Sequence, residues 1–298
     1  MKLLLLVVAL TAALDPLSYS QEEFASLYLM PLNPVEQAYQ PFSDGSHPPT
    51  DHFDWRETDQ ADCIHPIRDQ GACGSCWSFG TSEALSDRFC IHSNGAIKEE
   101  FSPQHLVNCV PESIASGCNG GETIDVIEWI GEHEITTDRC TPYIAPSLAQ
   151  ESQGRDECRT DSCSDDSFSW EENVYTVSNY TQYEEVSMQT LMAEIAHNGP
   201  IYMSMISTEE FKMYSGGVFA STPDDKDRGG HAVKIIGWGK IDEEGSEEPD
   251  NYYWIGANSW NVRWGEGGYF NIRCDQKIGY KAGANTPLIQ TKHLLASQ

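Results

Sequence analysis

Residues 70–80 read QGACGSCWSFG. Cys73 and Cys76 stand three apart among glycines, ahead of Trp77. Such a pair serves as a metal clip, a redox switch, a structural bridge, or half a bridge beside a reactive thiol. Zinc needs two more ligands at similar spacing. The chain has no second CxxC, and no histidine pair at a spacing of three to five lies nearby. A redox pair of the thioredoxin kind follows a strand in a βαβ setting, and the preceding CIHPIRDQGA is not an apolar strand. The last reading splits the pair: Cys73 is bridged, and Cys76 is free at the N-terminus of the helix CWSFGTSEALSDRFCI. There the helix dipole and unpaired N–H groups favour the thiolate, which is the nucleophile.

A reactive thiolate needs a histidine in reach, a group to orient that histidine, and donors for an oxyanion. His231 follows Gly229 and Gly230 in GGHAVKIIGWG, at the start of a strand. Asn258 lies in ANSW, at the end of the next strand. Gln70 sits in the turn before the helix, six residues ahead of Cys76.

The combination of RDQGACGSCWSFG, CNGG, GGHAVKIIGWG and ANSWNVRWGEGGYF resembles the papain-like cysteine proteases. Within that family DRFCIHSNG, CNGGET, MAEIAHNGP and YSGGVF are most similar to cathepsin B. The resemblance runs from about Phe53 to Gly283. It implies an α+β fold in which a helical left domain and a β-barrel-like right domain flank a cleft. It implies Cys76 as nucleophile, His231 as acid/base, Asn258 as the group orienting His231, and Trp260 as its shield from water. Gln70 and the backbone N–H of Cys76 would form the oxyanion hole. Gly120, Gly121, Thr123, Ser204, Gly230, Ala232 and Gly279 would line the substrate pocket. The same resemblance implies the bridges Cys63–Cys90, Cys73–Cys118, Cys109–Cys158 and Cys140–Cys163, with Cys274 left over.

The rest of the chain is compatible with this reading. The N-terminus, MKLLLLVVALTAALDP, has one lysine, an apolar run and small residues, as in a secretory signal peptide at 1–13. The apolar run is too short to span a bilayer, and no later stretch qualifies. Ten cysteines then suggest an oxidising compartment and disulfides. Ser20 and Glu23 form a capping box ahead of Phe24, Leu27 and Tyr28, which predicts a short helix. The linker PFSDGSHPPTDHF follows, so 14–49 reads as a short inhibitory propeptide and 50–298 as the mature domain. Helical patterns cover 102–109, 122–133 and 189–200, and strand patterns cover 201–207, 231–239, 251–260 and 268–274. Residues 135–172 read as irregular and stapled. The helical part is expected at about 60–165 and the β-rich part at about 166–290.

The 298 residues hold 46 acidic and 18 basic side chains. With no basic stripe to meet phosphates, sequence-independent nucleic-acid binding is excluded. No cofactor or metal is expected. Asn179, in Asn-Tyr-Thr, is a candidate for glycosylation.

The expected function is a cysteine endopeptidase made as a secreted or vacuolar zymogen, at work in a lysosome-like vacuole or outside the cell. Its partners would be protein and peptide substrates, its own propeptide and cystatin-type inhibitors, and it would be a monomer. The endopeptidase reading comes from CTPYIAPSLAQESQGRDEC (140–158). In cathepsin B an extra loop with two adjacent histidines binds the substrate's terminal carboxylate. This stretch has no histidine, and Asp156 and Glu157 follow its one basic residue, Arg155, and would offset it as a carboxylate anchor.

Overall fold

The computed structural model describes Ser20 and residues 50–121, 123–184 and 186–288. The expected signal peptide, and the propeptide apart from Ser20, lie outside these residues.

The organising element is helix α1 (Cys76–His92), which is buried along its length from Cys76 to Ile91. The apolar pattern foretells only a stripe. Trp77, Ala84, Leu85 and Phe89 make that stripe; all four are buried and all but Ala84 enter one core, but the polar residues are inside too, and each needs a partner. Ser78, Thr81, Ser82 and Ser86 bond back to carbonyl oxygens one turn earlier. Arg88 donates to the carbonyl oxygens of Pro200 and Gly199 at 2.7 and 3.0 Å and to Glu194 at 2.6 Å.

Helices α2 (Pro103–Cys109), α3 (Thr123–Glu132) and α4 (Ala145–Ser152) occupy the first half. Ser102 caps α2 by accepting from the His105 N–H, and Pro103 opens it. The second half adds α5 (Trp170–Asn173), α6 (Met188–Asn198) and α7 (Glu209–Lys212). Helix α4 falls in the stretch expected to be irregular.

Strands β1 (His52–Asp54), β4 (Val177–Glu184), β5 (Ile201–Thr208), β6 (Val218–Phe219), β7 (Asp227–Lys240), β8 (Tyr252–Ala257), β9 (Tyr269–Arg273) and β10 (Ile278–Pro287) form one eight-stranded sheet. Its order is β4-β10-β5-β7-β8-β9-β6, with β1 added along β7. The described strands do not close into a barrel. Strands β2 (Ile135–Thr136) and β3 (Val174–Tyr175) pair separately. The α+β class is that of the sequence reading.

Two cores result. One gathers the side chains around Trp77, Leu106, Ile130 and Tyr175. The other gathers Met192, Met203, Val233, Trp254 and Phe270. A third, small cluster of Cys76, Ile127, Tyr202 and Ala232 draws on helices of the first and strands of the second. Disulfides join Cys63 to Cys90, Cys73 to Cys118, Cys109 to Cys158 and Cys140 to Cys163. Cys76 and Cys274 are free and buried.

Candidate active site

Cys76 is the first residue of α1, held there by the turn from Gln70 to Ser75. That turn is fastened on three sides. The Cys73–Cys118 bridge pins its middle. The Gln70 amide donates Nε2 to the Cys73 carbonyl oxygen at 2.8 Å, while its Oε1 accepts from the Ser259 hydroxyl at 2.7 Å. Tyr143 donates to the Gln70 carbonyl oxygen at 2.8 Å and meets the Ser75 hydroxyl at 2.6 Å.

On the other wall, His231 sits on β7 opposite Met205 of β5. Its Nε2 lies 2.8 Å from Asn258 Oδ1. An amide oxygen only accepts, so Nε2 carries the proton in the neutral ring and Nδ1 keeps its lone pair. Nδ1 is buried and has no hydrogen-bond partner among the described residues. Asn258 Oδ1 also accepts from the Ser259 N–H at 2.8 Å, which fixes the amide. The Trp260 indole stacks on the imidazole at 4.5 Å between ring centres.

The walls meet at Cys76. Its sulfur faces the backbone N–H of Ala232, the residue after His231, and those of Cys76 and Trp77. These dipoles favour a thiolate, but loss of water outweighs them, and burial pushes the thiol up to about 12. Burial likewise pushes His231 down to about 4, against the Asn258 bond. Both shifts favour the uncharged forms.

The remaining candidates take the following places in the fold. Ser204 opposes Ala232 in the β5–β7 register, and Gly230 opposes Ile206. The β10–β5 ladder is interrupted between Ile278 and Ala282, which places Gly279 in a bulge beside the same stretch of β5. A Cβ there would meet Met203 Sδ at 3.4 Å and Leu191 Cδ1 at 3.6 Å. Gly120 ends the short helix that carries Cys118, Gly121 bridges to Ala115, and Thr123 opens α3. Asn179 lies exposed on β4, at the sheet edge and away from this cluster.

Tyr143 and Ser259 are the participants that sequence reasoning missed. Ser259 adjoins Asn258 and could have been suspected from that. Tyr143 carries no local signal. Arg155 also differs from its reading. Its guanidinium is spent on the carbonyl oxygens of Asn108, Val110 and Ala115, not on the neighbouring carboxylates. Among the described residues no group of three or more His, Cys, Asp or Glu is placed to hold a metal ion.

The arrangement is a thiol at a helix N-terminus across from an oriented imidazole with a free lone pair. Comparisons with known proteins agree with such chemistry. The model of the papain family of cysteine proteases matches residues 49–288. A gut-specific cysteine proteinase of Caenorhabditis elegans is 39% identical over 246 residues, covering 77% of this chain and 70% of its own. Cathepsin B-like cysteine proteinase 5 of the same organism is 36% identical over 249 residues, covering 74% and 69%. Among solved structures, procathepsin B S9 of Trypanosoma congolense superposes with a TM-score of 0.70 at 26% identity, covering 91% of this chain and 89% of its own.

Proposed function

Because the chain belongs to the papain family of cysteine proteases and is of the cathepsin B-like kind, we propose that it is an endopeptidase made as a zymogen in the secretory pathway. Cys76 is the nucleophile and His231 its acid/base partner. The observation that carries this is the His231–Asn258 bond, which leaves Nδ1 as the ring's basic nitrogen, on the residue before Ala232, whose N–H faces the Cys76 sulfur.

In the reaction, Nδ1 takes the Cys76 proton as sulfur attacks the peptide carbonyl carbon. The developing oxyanion would accept from Gln70 Nε2 and the Cys76 N–H. The C–N bond breaks, Nδ1 protonates the leaving amine, and a thioester remains. Water then attacks the thioester, giving one proton to Nδ1, and Cys76 is released. The substrate backbone would pass between Gly120–Gly121 and Gly230–Ala232, with Ser204, Thr123 and Gly279 around one side-chain pocket.

The likeness to a procathepsin B structure supports a precursor that is activated by processing. Cleavage would fall between about Ser43 and Thr50. From Thr50 onward the chain belongs to the fold: its carbonyl oxygen accepts from Trp238 Nε1 at 2.9 Å, and β1 follows. The endopeptidase reading is supported by the stretch 140–158, where no histidine stands and Arg155 is occupied.

The test is one peptide with a free and with an amidated C-terminus. Internal cleavage of both at equal rates is expected. Dipeptide release from the free form alone, several-fold faster, would overturn the endopeptidase reading. Stoichiometric labelling of the processed protein by an epoxide inhibitor, absent in Cys76→Ser, tests the nucleophile.

A further inference from the structure

At the far end of α3 a cleft of about 570 Å³ opens toward α2, α5 and the Cys109–Cys158 bridge. Helix α3 has ten residues, so this end lies roughly 15 Å from the one that begins beside Gly121. The catalytic reading above makes no use of it.

Two indoles face the cleft. His133 lies flat on Trp129, with ring centres 4.2 Å apart and planes 10° apart, and extends that wall. Trp170 lies deeper, with His105 at 6.3 Å. Glu132 and Glu134 line the cleft with exposed side chains, and no lysine or arginine lines it.

His105 is 4% exposed. Its Nε2 lies 3.1 Å from the Glu134 carbonyl oxygen and so carries the proton. Its Nδ1 keeps a lone pair. That nitrogen's neighbour is the Cys109 sulfur at 4.0 Å, which is bridged to Cys158 and has no hydrogen to give. Burial pushes this imidazole down to about 4, so it brings no positive charge near neutral pH.

We propose that this cleft binds an organic cation, the guanidinium or alkylammonium head of a ligand. Aromatic faces attract such cations through their quadrupoles, and the carboxylates answer the charge. A space of this size suits one small molecule or one side chain with its flanking backbone. The head could come from a free amine or from a basic residue of a bound polypeptide.

The test is calorimetric titration of the whole chain carrying Cys76→Ser, near neutral pH. The probes are butylguanidinium, its neutral isostere butylurea, and acetyl-Gly-Arg-Gly-amide. Saturable binding of butylguanidinium is expected, roughly tenfold tighter than butylurea. Glu132→Gln with Glu134→Gln, at exposed positions, should weaken it by a similar factor. In the chain with Cys76 intact, the same double substitution should leave peptidase activity unchanged. Trp129→Leu should abolish binding. A tripeptide that binds as tightly as butylguanidinium identifies a polypeptide source, and exclusion of the tripeptide alone identifies a free amine. No saturation, equal affinity for butylurea, or undiminished binding in the double-glutamine variant would overturn the proposal.

Discussion

The Tyr143 hydroxyl donates to the Gln70 carbonyl oxygen at 2.8 Å, across 73 residues of sequence. It also meets the Ser75 hydroxyl at 2.6 Å. One phenol thus spans the turn between the proposed oxyanion donor and the helix that begins with Cys76. Burial pushes the phenol's pKa up, so it stays a donor at any working pH.

Tyr143→Phe should therefore loosen the turn without emptying it. Two buried groups lose a partner, at a cost of about 1–3 kcal/mol in stability. We expect kcat to fall roughly tenfold, with KM changed less than about twofold, because the oxyanion donors act in the transition state. Steady-state kinetics at saturating substrate check this. An unchanged kcat would show that the disulfide and Ser259 hold the turn unaided.

Asn258→Ala should leave a buried Nε2–H without an acceptor and release the imidazole from its tautomer. A loss of about 1–3 kcal/mol in stability and about 10–100-fold in kcat/KM is expected. The variant should still fold and keep its four bridges, which denaturant titration and thiol counting would establish. Activity equal to that of the parent would remove Asn258 from the mechanism.

Glu83 lies on α1 two turns past Cys76, and its Oε1 has no partner among the described residues. Burial pushes its carboxyl up to about 7, against the pull of Lys234 and Arg68 and with help from Asp87 and Glu100. A raised value means that the folded protein holds this proton more tightly than the unfolded chain. Its contribution is whole below pH 4.5 and lost as pH rises through 7. His105 and His231 run the other way. Both are lowered from 6.5 to about 4, so their contribution is whole above 6.5 and lost as pH falls towards 4.

Glu83→Gln removes only the first dependence. Relative to the parent, the variant should gain stability from about pH 4.5 to about pH 7, on the order of 2–3 kcal/mol, and level off above. Melting temperatures across that range decide it. A constant offset at all pH values would mean that Glu83 titrates alike in the folded and unfolded chain.

The bulge at Gly279 puts Met203 and Leu191 beside one proposed side-chain pocket, with no carboxylate at that position. A substrate library should favour medium apolar residues there over arginine. Gly279→Glu should restore little preference for arginine. Gly279 has a φ of +79°, a conformation that costs a non-glycine residue roughly 1–2 kcal/mol. Arginine as the best residue in the parent would refute this pocket reading.

Read alone, the sequence singles out Cys76, Gln70, His231 and Asn258 as one constellation. Each stands in a short motif whose neighbours, glycines above all, are legible without the fold. Helices such as 189–200 and strands such as 201–207 follow from their periodicities for the same reason, since the signal is local. The two longest of the strands outside those patterns, β4 and β10, gave no such signal. β4 is a polar edge strand, and β10 reads IGYKAGANTP, with little that favours a strand. β10 forms because its small residues admit close neighbours. At Gly283 the place of a Cβ lies 2.8 Å from the Thr181 carbonyl oxygen and 2.9 Å from Ile127 Cδ1. The tertiary structure alone decided how deeply α1 is buried, that Tyr143 and Ser259 hold Gln70, and that burial works against charge on the thiol and imidazole. All three depend on water being excluded by segments far apart in the chain. No local pattern records that, because desolvation belongs to the assembled walls and not to any residue on them.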